Sequence, residues 1–201
     1  MHQRFLPLSL LSLLLLTGCA VGPLVSHETA RSVGDNNHEF VGSYGEAGVA
    51  FKWNYGLLED LDIGIQWESL SSGLRAKYSF LNFSEGYSMA IAGGAGLSVG
   101  GSHYYGDLLL SYRSGFWEPY VTGRIVHVDT DPDEFDGDNS WGINFKVDEM
   151  SYEYGQFIAG SRFWLGQNWL ISVEASSLFG FNSGFKASQN YILSAALGLR
   201  L

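Results

Sequence analysis

The chain has 201 residues, a length that suits one domain of ordinary size. Its formal net charge of −10 argues against a nucleic-acid partner, because phosphate binding requires a basic surface. Only 16% of the residues are charged, against roughly 25% in soluble domains. Glycine and aromatic residues are abundant, and this mixture favours strands and tight turns.

The single cysteine, Cys19, directly follows a short apolar segment. One cysteine cannot form an intrachain disulfide. Residues 1–4 make a basic start, and residues 5–16 form an apolar run that is too short to remain as a membrane span. This order is typical of a secretory leader.

The four residues Leu16-Thr17-Gly18-Cys19 resemble the lipobox of bacterial lipoproteins. The resemblance implies a signal peptide over residues 1–18, cleavage before Cys19, and acylation of its thiol and its new amine. Because Ala20 and not an aspartate follows Cys19, it also implies transfer to the outer membrane. Residues 19–37 are polar and aperiodic, so we predict a lipid-anchored tether there.

Period-2 alternation dominates the remaining chain, which we predict to be a β-barrel domain over residues 38–201. In residues 61–68, for example, Leu61, Ile63, Ile65 and Trp67 share one face and polar residues share the other. The pattern predicts an all-β, antiparallel, up-and-down barrel of about ten strands, with eight possible. The predicted strands are residues 38–44, 47–55, 61–70, 73–81, 86–99, 104–113, 117–128, 152–164, 168–178 and 190–201.

The polar face of one segment indicates which side of the barrel is inside. Along residues 87–99 that face holds only small residues, which are unusual on a soluble surface but fit a narrow lumen. The pattern favours a transmembrane barrel with its apolar face toward lipid. Aromatic residues near strand ends, such as Trp53, Trp117 and Trp164, favour a membrane–water boundary there. The alternative is a periplasmic, lipid-anchored, lipocalin-like barrel that binds an apolar ligand.

The stretch NYGLLEDLDIGIQWE, residues 54–68, resembles the small outer-membrane β-barrel proteins of Gram-negative bacteria, and the resemblance covers about residues 38–201. It implies an outer-membrane location with both ends of the barrel on the periplasmic side. Acylated Cys19 is then expected in the inner leaflet of that membrane. The final residues Arg200-Leu201 depart from the aromatic residue on which such barrels often end.

If the apolar face of each strand is toward lipid, the alternate residues point into the lumen, and many of them are charged. We expect charges of both signs to pair and fill it, because an unpaired buried charge is costly. A plugged interior is therefore predicted, with a narrow path for a small solute as the alternative. The predicted lumen charges are Lys52, Asp62, Glu68, Arg75, Lys77, Asp107, Arg113, Arg124, Arg162, Glu174 and Arg200.

Residues 129–151 form an acidic connection whose spacing begins like a calcium-binding loop. The EF-hand pattern then fails, because Glu134 stands where glycine is needed and Ser140 stands where glutamate is needed. We interpret this connection as a solvated acidic loop, with loose divalent-cation binding at the cell surface as the alternative. Its candidate ligands are Asp129, Asp131, Asp133, Asp136 and Asp138.

The candidates for catalysis are the pair Ser102-His103, and His127 close to Asp129. Neither lies in a motif that matches the barrel enzymes that modify lipid A. The sequence also contains no phosphate-binding glycine loop and no His/Cys metal set, so we predict no catalysis and no cofactor. The predicted function is a monomeric outer-membrane lipoprotein with a structural, surface-interaction or narrow-channel role, in contact with outer-membrane lipid.

Overall fold

The computed structural model describes residues 22–98, 100–130, 150–181 and 191–201. Within these ranges ten antiparallel strands pair in chain order, and the first pairs with the last to close the barrel. This confirms the all-β up-and-down barrel and the larger of the two predicted strand numbers. The strands are β1 (His38–Gly45), β2 (Gly48–Leu58), β3 (Leu61–Glu68), β4 (Ser71–Asn82), β5 (Gly86–Ser98), β6 (Gly101–Arg113), β7 (Trp117–Thr130), β8 (Met150–Leu165), β9 (Trp169–Gly180) and β10 (Tyr191–Arg200).

Among the described residues, no helix is both long enough and apolar enough to cross a membrane.

The two ends of the barrel differ in the length of their connections. The turn end is where β1 begins and β10 ends, and its connections are residues 59–60, 83–85, 114–116 and 166–168. The loop end is opposite, and it includes the long connections 131–149 and 181–190 as well as three two-residue turns.

The barrel wall is apolar outside and polar inside. In β3, Ile63, Ile65 and Trp67 are exposed, whereas the alternating Asp62 and Glu68 are buried. This polarity suits a bilayer around the barrel and is the reverse of the lipocalin-like alternative, which needs an apolar lumen. Large exposed side chains on other strands include Phe51, Leu74, Ile91, Leu108, Ile125, Phe157, Val173 and Leu197.

One aromatic residue predicted for the membrane boundary lies inside instead. Trp164 is buried, and its indole Nε1 donates to Glu118 at 2.9 Å. The guanidinium groups of Arg113 and Arg200 lie 4.8 and 4.7 Å from the centre of its ring. Trp164 shares the inward parity of Arg162, and the two cations stabilise an aromatic ring in this position.

Residues 22–33 lie within the barrel, and we call them the lumen segment. Every residue from 25 to 33 is buried. At the turn end the chain passes so close to β2 that a Cβ on Gly56 would collide with the carbonyl oxygen of Gly34. The predicted tether is therefore corrected over residues 22–33, which are packed inside the domain. The physical reason is that the polar side chains of this stretch match the charged lumen, as described below.

Candidate functional site: the occupied lumen

Glu28 of the lumen segment is surrounded by three cations of the barrel wall. Its carboxylate pairs with Arg75, with Lys77 at 3.2 Å and with Lys52 at 3.3 Å, and all four side chains are buried. Asp62 of β3 lies 3.0 Å from Lys77. Because buried cations require paired anions, Glu28 supplies negative charge at the point where β2 and β4 bring positive charges together.

Arg31 forms the second ion pair between the lumen segment and the wall. Its Nε lies 3.0 Å from the carboxylate of Glu118, and Nη2 donates to the carbonyl of Gly86 at 2.6 Å. The same glutamate accepts the indole N–H of Trp164. The segment thus carries one buried charge of each sign, and each meets its opposite on the wall.

Two wall carboxylates bind main-chain amides of the segment. Glu68 accepts from the amides of Leu24 at 2.8 Å and Val25 at 3.2 Å. Glu174 accepts from the amides of Ser26 at 2.9 Å and His27 at 2.5 Å. A buried irregular chain needs such partners because it lacks the hydrogen-bond ladder of a strand.

Wall cations and hydroxyls satisfy the carbonyl groups of the segment in the same way. Lys77 Nζ donates to the carbonyls of Thr29 at 3.2 Å and Arg31 at 2.6 Å. The wall therefore contacts the segment from several strands. Further donors to its carbonyl groups are Lys52 to Ser26, Arg162 to His27, Ser79 to Ala30, Arg124 to Pro23 and Gln156 to Leu24.

The histidine of the segment is held by two wall hydroxyls. His27 Nδ1 lies 3.0 Å from Ser172 Oγ, and Nε2 lies 2.9 Å from Ser194 Oγ. A cavity of about 10 Å³ remains beside His27 and Lys52, which is room for about one water molecule.

The other predicted lumen charges pair mainly within the wall. Arg124 makes a two-pronged contact with Asp107 at 2.7 and 2.9 Å. Arg162 and Arg200 share Glu39, at 3.0 and 2.6 Å. Arg113 lies at the turn end, half-buried, and its Nε donates to the carbonyl of Gly115 at 3.2 Å. Apart from Arg113, the predicted lumen charges are therefore accounted for by ion pairs and by contacts with the lumen segment.

Four charged residues of this site were missed by the sequence analysis: Glu28, Arg31, Glu39 and Glu118. Strand alternation could have predicted that Glu39 and Glu118 point inward, because both alternate with outward residues of β1 and β7. For Glu28 the signal was an imbalance of charge. The predicted lumen set contains seven cations and four acids, in a chain whose net charge is −10, so further acids were needed inside.

Near the loop end the lumen becomes apolar and aromatic. Tyr105, Val126, Val128, Tyr152 and Tyr154 form this aromatic collar, and all five are buried. Gly22 passes through it so tightly that an added Cβ would lie 2.5 Å from Val126 Cγ1 and 3.2 Å from the Tyr154 hydroxyl. The prediction of a lumen filled by charges alone does not extend to this end.

The two candidate catalytic pairs have different surroundings. Ser102 is exposed while His103 faces the lumen and lies 2.9 Å from Ser98 Oγ, so consecutive positions of β6 put the pair on opposite faces.

On the outer face, His127 Nε2 lies 3.0 Å from Asp129 and 3.2 Å from Ser151 Oγ, while Nδ1 lies 3.2 Å from Glu153. A serine–histidine–acid triad keeps one ring nitrogen for the serine and the other for the acid. Here Asp129 competes with Ser151 for the same nitrogen, so this division of roles is missing. The arrangement is that of a polar cluster around His127.

Some predicted residues lie outside the part of the chain that the structure describes. These are the lipidation residue Cys19 and the acidic residues Asp131, Asp133, Asp136 and Asp138, whereas Asp129 is described at the end of β7. Within the described ranges, no group of three or more His, Cys, Asp or Glu side chains is arranged to hold a metal ion.

No protein-family model matches the chain, and no curated protein matches its sequence. Among solved structures, it is similar to the N-terminal β-barrel domain of Pseudomonas aeruginosa OprF, with a TM-score of 0.41 and 13% identity over 84% of this chain and 99% of that one. It is also similar to the KdgM porin, with a TM-score of 0.38 and 10% identity over 82% of this chain and 97% of that one. The barrel fold stated above follows from the strand pairing of this chain itself.

Proposed function

We propose that this protein is an outer-membrane β-barrel lipoprotein anchored through acylated Cys19. Its own N-terminal segment fills the lumen of the barrel, and the protein serves a structural or surface-interaction role. The observation that carries the proposal is the burial of every residue from 25 to 33 inside the lumen. The apolar outer face of the barrel supports a place in a bilayer.

The lumen contacts favour the structural role over the narrow channel. A selective path needs polar groups that are free to exchange partners with a passing solute. Here Glu68 and Glu174 accept main-chain amides of the segment, and Lys77 donates to its carbonyls. These groups are occupied by the protein's own chain, which supports a barrel without conduction.

The proposed partners follow from the two surfaces of the barrel. Outer-membrane lipid is the partner of the apolar exterior. The acidic connection after β7 is the proposed site of weak divalent-cation binding, and Asp129 is its first carboxylate. We propose a monomer, because barrel closure leaves no strand edge to pair with a second copy.

The test uses the mature chain with Cys19→Ser, so that attached lipid cannot explain membrane association. We expect this protein to fold into β-structure only with detergent or lipid, and to add no conductance steps to a planar bilayer. Folding as a soluble monomer in buffer alone would contradict the membrane location. Reproducible conductance steps from the folded protein would instead favour the narrow channel.

A further inference from the structure

The contacts of the lumen segment reveal the direction in which it crosses the barrel. Val33 and Ser32 bind Asp62, which lies beside the turn end at the start of β3. Leu24 and Val25 bind Glu68, the last residue of the same strand. The chain therefore runs along β3 from the loop end, near residue 24, to the turn end, near residue 33.

The N-terminal side of the segment continues toward the loop end. Gly22 lies against Val126 and Tyr154 of the aromatic collar. Val126 precedes the last residue of β7, Thr130, by four positions, which correspond to about 10 Å along the barrel axis for a tilted strand. Two residues lie between Cys19 and Gly22, and the three Cα-to-Cα steps span about 10 Å when the chain is extended. The chain can thus bring Cys19 to the rim of the loop end.

The two barrel ends also indicate which side of the membrane this rim faces. Barrels of the outer membrane have short periplasmic turns and longer extracellular loops. In this chain the connections of 19 and 10 residues, 131–149 and 181–190, are both at the loop end. The rim that Cys19 reaches is therefore the one expected at the cell surface.

We infer that the chain passes through the barrel lumen and brings acylated Cys19 to the loop end. The acyl chains of Cys19 then enter the outer leaflet at the cell surface. This inference rests on the proposed function, and it replaces the inner-leaflet anchor expected from the sequence. The barrel then holds the lipid anchor on the opposite side of the membrane from the start of β1 and the end of β10.

The contacts of Glu28 make this arrangement difficult to reverse once the barrel is closed. Withdrawing the segment would leave Lys52, Arg75 and Lys77 buried without that carboxylate. The cavity of about 10 Å³ beside His27 also has no room for the three acyl chains of the anchor. The barrel must therefore close around the segment, by the pairing of β1 with β10, after the segment is in place.

The experiment measures which side of the membrane each site faces in intact Gram-negative cells. The full precursor carries a Gly-Ser-Cys-Ser-Gly insertion between Ala20 and Val21, and the probe is a membrane-impermeant maleimide. Two matched variants report the barrel ends: Glu46→Cys in an exposed turn at the loop end, and Glu59→Cys in an exposed turn at the turn end. Lipidation is followed by incorporation of labelled palmitate into the same proteins.

We expect the insertion and Glu46→Cys to react in intact cells, and Glu59→Cys to react only after the outer membrane is opened. An insertion that reacts only in opened cells, or in neither condition, overturns the surface-anchor inference while Glu46→Cys still supports the proposed orientation. Reaction of Glu59→Cys in intact cells, with Glu46→Cys protected, overturns the orientation itself. Absence of the protein from outer-membrane fractions, or of palmitate from it, overturns the proposed function.

Discussion

Glu28 is the residue on which the charge balance of the lumen depends most. Its carboxylate meets Lys52, Arg75 and Lys77, of which only Lys77 has a second ion pair with a carboxylate among the described residues. Removing one partner of a buried ion pair strongly destabilises a protein, because the other charge stays buried without compensation. The effect of this residue on stability should therefore be large.

We expect Glu28→Gln to lower the free energy of unfolding by about 3 kcal/mol or more, because the amide keeps the shape of the side chain but not its charge. Urea unfolding of the refolded protein in lipid vesicles measures this loss. The matched control is Glu59→Gln at an exposed turn, where we expect a change within about 0.5 kcal/mol. Equal effects at the two positions would contradict the role given to Glu28.

Strand residues could be assigned to a face from the sequence because the side chain of each successive residue points to the opposite side. That rule placed Lys52, Asp62 and Arg162 correctly on the inward face, as their burial shows. It provided no information on residues 22–33, where no period exists. The partner of the three cations was therefore missed, although the excess of positive charge in the predicted lumen indicated that one was required.

At the scale of elements, the strands were predicted closely and the lumen segment was not. The strands are eight or more residues long, and several of them, such as β3 and β6, alternate with period 2 along their whole length. The lumen segment is held by side chains that come from β2, β3, β4, β7, β8 and β9, which are distant along the chain. Such contacts depend on the closed barrel and cannot be inferred from local sequence.

The passage of this segment explains why one inward residue of β5, Ala90, is small. Ala90 is fully buried and packs with Ala30 of the segment and Leu109 of β6. A larger residue at this position would compete with the segment for the same volume. The small residues on this face predicted a narrow lumen, and the lumen segment occupies it beside Ala90.

We expect Ala90→Leu to destabilise the protein by about 1–3 kcal/mol, because extra methylenes have no room between Ala30 and Leu109. Ala95→Leu is the matched control, since Ala95 lies on the same strand but is exposed on the outer face. Thermal unfolding of both variants in detergent compares the two positions. Comparable melting temperatures for the two variants would mean that the lumen beside β5 has space that the structure does not show.

At the scale of the whole molecule, the polarity of the wall and the path of the segment have one common explanation. A barrel in a bilayer places its apolar side chains outward and its charged ones inward. In this chain the inward charges are balanced partly by each other and partly by a segment of the same chain. The closed wall and the lumen segment therefore complete each other's ion pairs.

The position of the lumen segment inside the closed barrel can be tested with a pair of introduced cysteines. In a Cys19→Ser background, we would compare His27→Cys/Ser172→Cys with His27→Cys/Val173→Cys after mild oxidation. His27 Nδ1 lies 3.0 Å from Ser172 Oγ, whereas the neighbouring Val173 is exposed on the outer face.

We predict a disulfide in the first double variant, visible as a change in gel mobility that a reducing agent reverses, and none in the second. No disulfide in the first variant, or equal formation in both, would mean that His27 does not lie beside Ser172 inside the lumen.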